Sequence, residues 1–431
     1  MKNLMTTDPT LSSLIFDELN RQRTGLEMIP SENFTSLAVM EALGSVLTNK
    51  YSEGYPGRRY YGGNQYIDQI EELCRARAKE LFGVEHANVQ PYSGSPANQA
   101  VYFALLNPGD TVLGMELAQG GHLTHGYSLN FSGKFYKSVG YGVDKTTERL
   151  DYDAIRAIAK KENPKLIICG ATAYPRAFDF AAFRSIADEV NAYLLADISH
   201  ITGLIISGDH QSPVPYADIV MTTTHKTLRG PRGAMILVPK VADRFHDLYH
   251  SNTKRDLAGL IDAAIIPGLQ GGPHNHQTAA IAVALKEAQE KTFIDYGHCI
   301  VKNAKALAES LTEAGLTLVT GGTDNHLILV NLANTSTSGK VAETLLDEVG
   351  ITVNKNMIPF DQRKPMDPSG IRLGTPALTT RGFTEDDMRR IGKIIATVLQ
   401  NPESDTVKND ARKVVKELTA AHPLYPELAI S

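Results

Sequence analysis

Four short stretches of the chain carry residue types that can do chemistry. The first is Thr222-Thr223-Thr224-His225-Lys226-Thr227-Leu228-Arg229-Gly230-Pro231-Arg232-Gly233. It sets a lysine just past an apolar run, among hydroxyls and beside a histidine. Burial and neighbouring cations lower an amine's pKa, so such a lysine can form a Schiff base with a carbonyl compound. An isolated lysine of this kind is ordinarily a solvated loop residue. The second stretch is LLADISH, with Asp197 at the end of an apolar run and His200 three residues on. Asp197 precedes Lys226 by 29 residues, the length of one strand–helix–strand step. An acid there can hold the nitrogen of a pyridinium ring protonated, whereas taken alone it reads as a helix cap. In the third, Tyr92-Ser93-Gly94-Ser95-Pro96-Ala97-Asn98, small hydroxyl residues open a helical pattern. Free N–H groups and hydroxyls at a helix start suit a phosphate monoester, and simple capping is the plain alternative. The fourth runs from Lys50 to Gly63 and holds Tyr51, Glu53, Tyr55, Arg58, Arg59, Tyr60 and Tyr61, punctuated by Gly and Pro. That punctuation forbids a regular helix or central strand. Loops rich in Tyr and Arg suit interfaces and binding sites, with or without chemistry. A Schiff-base lysine, an acid for a ring nitrogen and a phosphate-binding helix start are together the parts that a pyridoxal phosphate enzyme requires.

These residues need a frame. Apolar runs at 111–115, 166–170, 192–197, 218–224 and 234–239 predict buried strands, with helical patterns between several of them. Alternating strands and helices predict an α/β domain around a mostly parallel sheet, where ligands bind beyond the strand C-terminal ends. Residues 11–23 predict an amphipathic helix, capped by Asp8 or Thr10 with Pro9 in its first turn. Residues 276–293 predict a long helix leading into a smaller α+β region with strands at HLILVNL and IRLGT and a terminal helix at 407–421. The expected organisation is an N-terminal arm over 1–28, a large domain over 29–280 and a small C-terminal domain over 281–431.

Composition bounds the remaining possibilities. The 431 residues carry 43 Lys+Arg against 48 Asp+Glu, a net charge of −5, which argues against broad nucleic-acid or anionic-membrane binding. No window approaches 18 apolar residues, so no membrane span is expected, and the N-terminus has no signal-like apolar run. Cys74, Cys169 and Cys299 are few and far apart, which predicts buried or semi-buried thiols in a reducing cytosol rather than disulfides or a zinc site. No P-loop, GxGxxG, HExxH or GxSxG pattern is present. The expectation is a cytoplasmic enzyme without a metal.

Eight motifs carry a family resemblance: IPSENF (29–34), KYSEGYPGRRYYGG (50–63), VQPYSGSPAN (89–98), GGHLTHG (120–126), ADISHITG (196–203), TTTHKTLRGPRG (222–233), PGLQGGPHNH (267–276) and SGIRLGT (369–375). Over about residues 28–397 the chain resembles serine hydroxymethyltransferases, enzymes of the fold-type I pyridoxal phosphate class. The resemblance implies reversible transfer of the hydroxymethyl group of L-serine to tetrahydrofolate, giving glycine and 5,10-methylenetetrahydrofolate. It implies that Lys226 carries the cofactor covalently. Asp197 would pair with the ring nitrogen, His200 would contact the phenolic oxygen and His122 would stack on the ring. Ser93, Gly94 and Ser95 would grip the phosphate, with His225 nearby and Thr172 at the cofactor. Tyr51 and Gly272 would complete that site from the other subunit of a homodimer or tetramer.

For the substrates, the resemblance implies that Arg372 and Ser31 bind the amino acid and that Glu53 moves a proton, with Tyr61 and Tyr60 beside it. Leu117, Gly121, His122 and Leu123 match the folate-contact region, as do Lys364, Pro365 and Met366. The chain departs from the commonest bacterial pattern at Tyr92 and Pro96, at Thr172, at Ser199 and Thr202, and in the loop from Met357 to Pro368. A folate-independent aldolase, an α-methylserine hydroxymethyltransferase and a silent binding protein on the same fold are the alternatives.

Overall fold

The structure, a computed structural model, describes residues 2–428. The chain divides into two compact units, Thr35–His298 and Met1–Phe34 together with Cys299–Ser431. The expected boundary at 280 falls inside a helix, Asn275–Ala288, and the expected arm belongs with the C-terminal unit.

The unit from Thr35 to His298 is built on seven strands. Across the sheet they run His86–Asn88, Ala234–Val238, Ile219–Thr223, Tyr193–Asp197, Leu166–Cys169, Thr111–Met115 and Lys137–Tyr141. The pairs among the last five in that order are parallel, while Ala234–Val238 runs antiparallel to both of its neighbours. All five expected strands form; Leu166–Cys169, Tyr193–Asp197, Ile219–Thr223 and Ala234–Val238 are buried along their whole length and Thr111–Met115 at all but its first residue, because both sheet faces are covered. Two strands give no such run. Lys137–Tyr141, at the sheet edge, is buried only at Tyr141, and His86–Asn88 is only three residues long.

Helix ends in this unit follow side-chain capping. Asp151 accepts from the amides of Asp153 and Ala154 to start Tyr152–Glu162, and Asp179 accepts from Ala182 N to start Phe180–Glu189. The predicted long helix over 276–293 is two helices, Asn275–Ala288 and Lys291–Glu313.

The other unit holds an antiparallel sheet in the order Thr317–Leu318, Leu327–Asn331, Gly370–Gly374, Asn354–Asn356. Its core gathers Leu307, Leu311, Ile328, Ile371, Met388, Ile391 and Ile395 with Leu26 and Met28. Asp8 caps the helix Pro9–Thr24 through Leu11 N, with Pro9 at its first turn, as the sequence predicts. The N-terminal segment is then bound by Leu26–Glu27, which pairs in parallel with Ile351–Thr352.

Arg381 locks this arrangement. Its guanidinium donates to the carbonyls of His422 (2.8 Å), Gly25 (2.9 Å) and Arg23 (3.0 Å). Burial brings its pKa down to about 10, so the group stays charged at neutral pH. Cys74 and Cys169 are buried thiols, but Cys299 is exposed on the helix Lys291–Glu313, contrary to expectation. Among the described residues no helix is long and apolar enough to cross a membrane.

Five carbonyls from the two ends of the chain, those of Gln22, Arg23, Gly25, Thr419 and His422, share one planar fork that a lysine cannot reproduce. Arg381→Ala is therefore expected to lower unfolding stability by about 2–4 kcal/mol, with little recovery in Arg381→Lys. Urea unfolding midpoints of the three proteins check this, and an unchanged midpoint in the alanine variant would contradict the role.

Candidate active site

Asp197 ends its strand opposite Met221 in the neighbouring strand, with the Lys226 loop following that neighbour. The backbone passes so close that a Cβ on Gly170 would meet Asp197 O at 2.2 Å, so only glycine fits there. The Asp197 carboxylate is 8% exposed and accepts four hydrogen bonds. Oδ1 takes Ser199 Oγ at 2.6 Å and Ser199 N at 3.1 Å. Oδ2 takes Asn98 Nδ2 at 3.0 Å and His125 Nε2 at 3.1 Å. Burial alone would raise its pKa. The hydrogen bond and charge of His125, with His122 and Ser199, outweigh that and hold the carboxyl well below the usual range.

His122 belongs to the same cluster. Its Nδ1 accepts from Thr124 N at 3.2 Å, and its ring lies 5.7 Å from that of His125. Burial lowers its pKa to about 4, helped by the charges of His125 and Lys226 and opposed by Asp197. A neutral, flat imidazole presents a face suited to stacking on an aromatic ring.

Lys226 is 9% exposed and sits in a closed loop. Thr224 N donates to Gly233 O, Gly230 N to Thr224 O and Thr224 Oγ1 to Pro231 O. Thr227 Oγ1 donates to His200 O at 3.1 Å and accepts from Gly203 N, tying this loop to the one after Asp197. His200 is buried there, at 4% exposure. Arg229 takes a positive φ of 59° and lays its guanidinium over the Tyr296 ring at 4.1 Å.

The helix Gly94–Leu105 begins beside this loop. Ser93 stands at its N-cap and makes no side-chain capping bond. A Cβ on Gly94 would meet Thr223 Cγ2 at 2.6 Å, so the helix start can approach that strand only as glycine. Thr223 Oγ1 and His225 Nδ1 are buried there without a hydrogen-bond partner. Burial, then the charges of Lys226 and Arg232, lower the His225 pKa to about 3. Uncapped helix N–H groups and orphaned hydroxyl and imidazole atoms fit a phosphate group. A carboxylate at the end of the adjoining strand and a buried lysine complete a fit to pyridoxal phosphate.

The structure places the remaining predicted residues in three other settings. Thr172 donates its N–H to Gly120 O and thereby fixes the Gly120–His122 turn, whose Gly121 is buried. Leu117 and Leu123 are exposed on short 3-10 turns beside it, and Ser95 is exposed on the first turn of its helix. The tyrosine loop folds as a small hairpin, Gly54–Tyr55 against Arg58–Arg59. Here Tyr51 OH donates to Glu53 Oε1 at 3.0 Å, the Tyr51 and Tyr61 rings meet edge to face at 4.9 Å, and the Tyr51 ring covers Gly272. Tyr51, Tyr60 and Tyr61 stay exposed. Arg59 pins the loop from below, paired with Asp68 at 2.8 Å and Glu71 at 2.6 Å.

In the other unit, Arg372 lies on the strand Gly370–Gly374 between Leu329 and Asn354, 6% exposed, and donates Nε to Asn354 Oδ1 at 3.1 Å. Burial lowers its pKa to about 10. Pro30 packs on Gly374 and Gly374 N donates to Met28 O, which brings the Ser31 loop beside that strand. Lys364, Pro365 and Met366 are exposed in a loop organised by Asp361, which accepts from Ser369 Oγ and from the amides of Arg363 and Ser369.

A model of the serine hydroxymethyltransferase family matches residues 4–395. The chain belongs to the serine hydroxymethyltransferase family. It is a transferase that uses pyridoxal phosphate and moves the hydroxymethyl group of serine to tetrahydrofolate. Its central sheet is the α/β frame of fold-type I enzymes.

Two residues of this site, His125 and Asn98, were given no role in the sequence reading. His125 stands three residues after His122, a spacing that one 3-10 turn turns inward. Asn98 sits in the first turns of the Gly94–Leu105 helix and reaches both Asp197 and Thr124 Oγ1. Arg59 looked like a binding residue but is a structural anchor.

Both depressed histidines should stay neutral through mildly acidic pH. Their folded pKa values, about 4 and about 3, lie below the ordinary value of 6.5. The unfolded chain therefore takes up protons first, and stability falls as pH drops from about 6.5 toward 4. NMR titration of imidazole Cε1–H signals in the cofactor-free protein should show both rings neutral at pH 5.5. A midpoint near 6.5 for either ring would contradict its burial.

Proposed function

We propose that Lys226, Asp197, His122, His200 and His225 form the reaction centre for serine–glycine interconversion. The observation that carries this reading is the buried pair of a fully hydrogen-bonded Asp197 carboxylate and the Lys226 loop on adjoining strand ends. Pyridoxal phosphate, when bound, supplies an electron sink for the pair released as the serine Cα–Cβ bond breaks. Everything else falls to the chain's own side chains. Lys226 is the covalent attachment point. Asp197 holds the proton on the ring nitrogen. His122 would stack on the ring, His200 would contact its phenolic oxygen, and Thr172 fixes the turn that carries His122. Ser93, Gly94, Ser95 and His225 hold the phosphate, with Thr223 Oγ1 as a further donor.

Arg372 binds the substrate carboxylate as a two-pronged donor, with Ser31 as its partner. Fixing that carboxylate sets which bond at Cα is free to break, an orientation effect. Glu53 holds or passes the proton of the serine hydroxyl, and Tyr61 orders it through Tyr51. Leu117, Gly121 and Leu123 line the folate side, and Lys364, Pro365 and Met366 extend it.

We further propose a homodimer in which Tyr51, Glu53, Tyr61 and Gly272 serve the neighbouring subunit's site. The exposure of three tyrosines on a loop held rigid by Arg59 supports this, since order without burial suits an interface. The two units act as a large cofactor domain and a small substrate domain. The modest acidic charge and the small number of cysteines support a cytoplasmic enzyme with small-molecule substrates.

The test measures glycine formed from serine with and without tetrahydrofolate. The reading predicts folate-dependent cleavage, none in Lys226→Ala, and in Arg372→Ala a serine KM raised at least thirtyfold, about 2–5 kcal/mol for an unpaired buried carboxylate. Folate-independent cleavage at the full rate would assign an aldolase instead, and an unchanged KM would remove Arg372 from the substrate site.

A further inference from the structure

The Asp197 carboxylate has donors on both oxygens, but they differ in kind. On Oδ2 both are nitrogen groups, from Asn98 and His125, each at 3.0 Å or more. On Oδ1 one is the Ser199 amide, fixed by the backbone at 3.1 Å. The other is the Ser199 hydroxyl at 2.6 Å, within the range of a charge-assisted O–H···O⁻ bond. The same oxygen, Ser199 Oγ, accepts from Thr223 N at 3.1 Å. A donor feeding the hydroxyl oxygen polarises its O–H and strengthens its own donation. The nearby alternative acceptor, Met221 Sδ at 3.8 Å, is weak. The single Ser199 proton therefore belongs on Asp197, and the strand that carries Thr223 fixes it there. Ser199 itself is 6% exposed, so water does not compete for the bond.

We propose that Ser199 is a positioning residue that keeps Asp197 in its ionised form, so that the proton shared with the cofactor's ring nitrogen stays on nitrogen rather than on the carboxylate. This rests on the reading of Asp197 as the ring-nitrogen partner. A shared proton sits nearer the more basic of two atoms. Each donor bonded to the carboxylate lowers its basicity, and a short charge-assisted bond does so most. Removing the Ser199 hydroxyl returns electron density to Oδ1 and draws the proton toward it. The ring then carries less positive charge and is a weaker electron sink, without any loss of a contact to substrate.

The experiment is 15N NMR of the protein loaded with pyridoxal phosphate labelled at the ring nitrogen, in the parent chain and in Ser199→Ala. The parent should give a pyridinium resonance. In Ser199→Ala the resonance should move toward the free-pyridine position, corresponding to about a tenfold fall in the ratio of ring-protonated to carboxyl-protonated forms. Ser199→Cys, which keeps a weak donor and an acceptor for Thr223 N, should lie between the two and guards against a variant that fails to fold. Identical resonances in all three proteins, or movement toward a more fully protonated ring, would overturn the role of Ser199 while leaving the site reading intact. A parent chain that binds no labelled cofactor would overturn the site reading, and the proposal with it.

Discussion

An ionised carboxylate can sit away from water only where other donors replace the water it has lost. Asp197 meets that condition at the end of a buried strand, and much of the surrounding structure serves it. The helix from Gly94 supplies Asn98, the 3-10 turn after His122 supplies His125, and the loop after the strand supplies both groups of Ser199. Gly170 gives way so that the backbone can pass. With those donors in place, and with His125 against its Oδ2, the buried carboxyl keeps its negative charge. That charge is what an electron-withdrawing pyridinium ring needs.

The rest of the centre follows from the same geometry. The strand beside Asp197 runs parallel to it, so its continuation leads into the loop of Lys226 on the same side of the sheet. The hydroxyl of Thr227 and the carbonyl of His200 then join the two loops. The low pKa values of His122 and His225 come chiefly from burial, and the positive charge of Lys226 pushes both in the same direction. Both rings therefore stay uncharged at neutral pH. The orphaned atoms of Thr223 and His225 are the counterpart of Asp197. They are buried polar groups without a hydrogen-bond partner, the kind of atoms that a bound phosphate would satisfy.

Much of this was legible in the sequence. Long apolar runs announce strands buried on both faces, which is why five of the strands of the central sheet were readable from hydrophobicity alone. The positions of Lys226 and Asp197 at strand ends followed from that. Lys137–Tyr141 was not readable because an edge strand is half solvated, and the break near Gln289 was hidden because no Gly or Pro marks it in KEAQEKTF (286–293). The donors around Asp197 were hardest to foresee. Asn98, His125 and Ser199 come from three separate segments, and only folding brings them to one carboxylate. Arg59 shows the converse, since its composition suggested binding while its ion pairs with Asp68 and Glu71 make it an anchor. The N-terminal segment was read as a separate arm because its amphipathic helix says nothing about Arg381, hundreds of residues away in sequence.

The central claim is that Lys226, held beside Asp197, is the residue that takes the cofactor. It is tested most directly by loading the protein with pyridoxal phosphate, reducing with borohydride to make the attachment permanent, and mapping the modified peptide by mass spectrometry. The account predicts one pyridoxyl group per chain, on the peptide that contains Lys226, with the label lost from that peptide in Lys226→Ala. Modification centred on another lysine, or no stable modification of a folded chain, would contradict it.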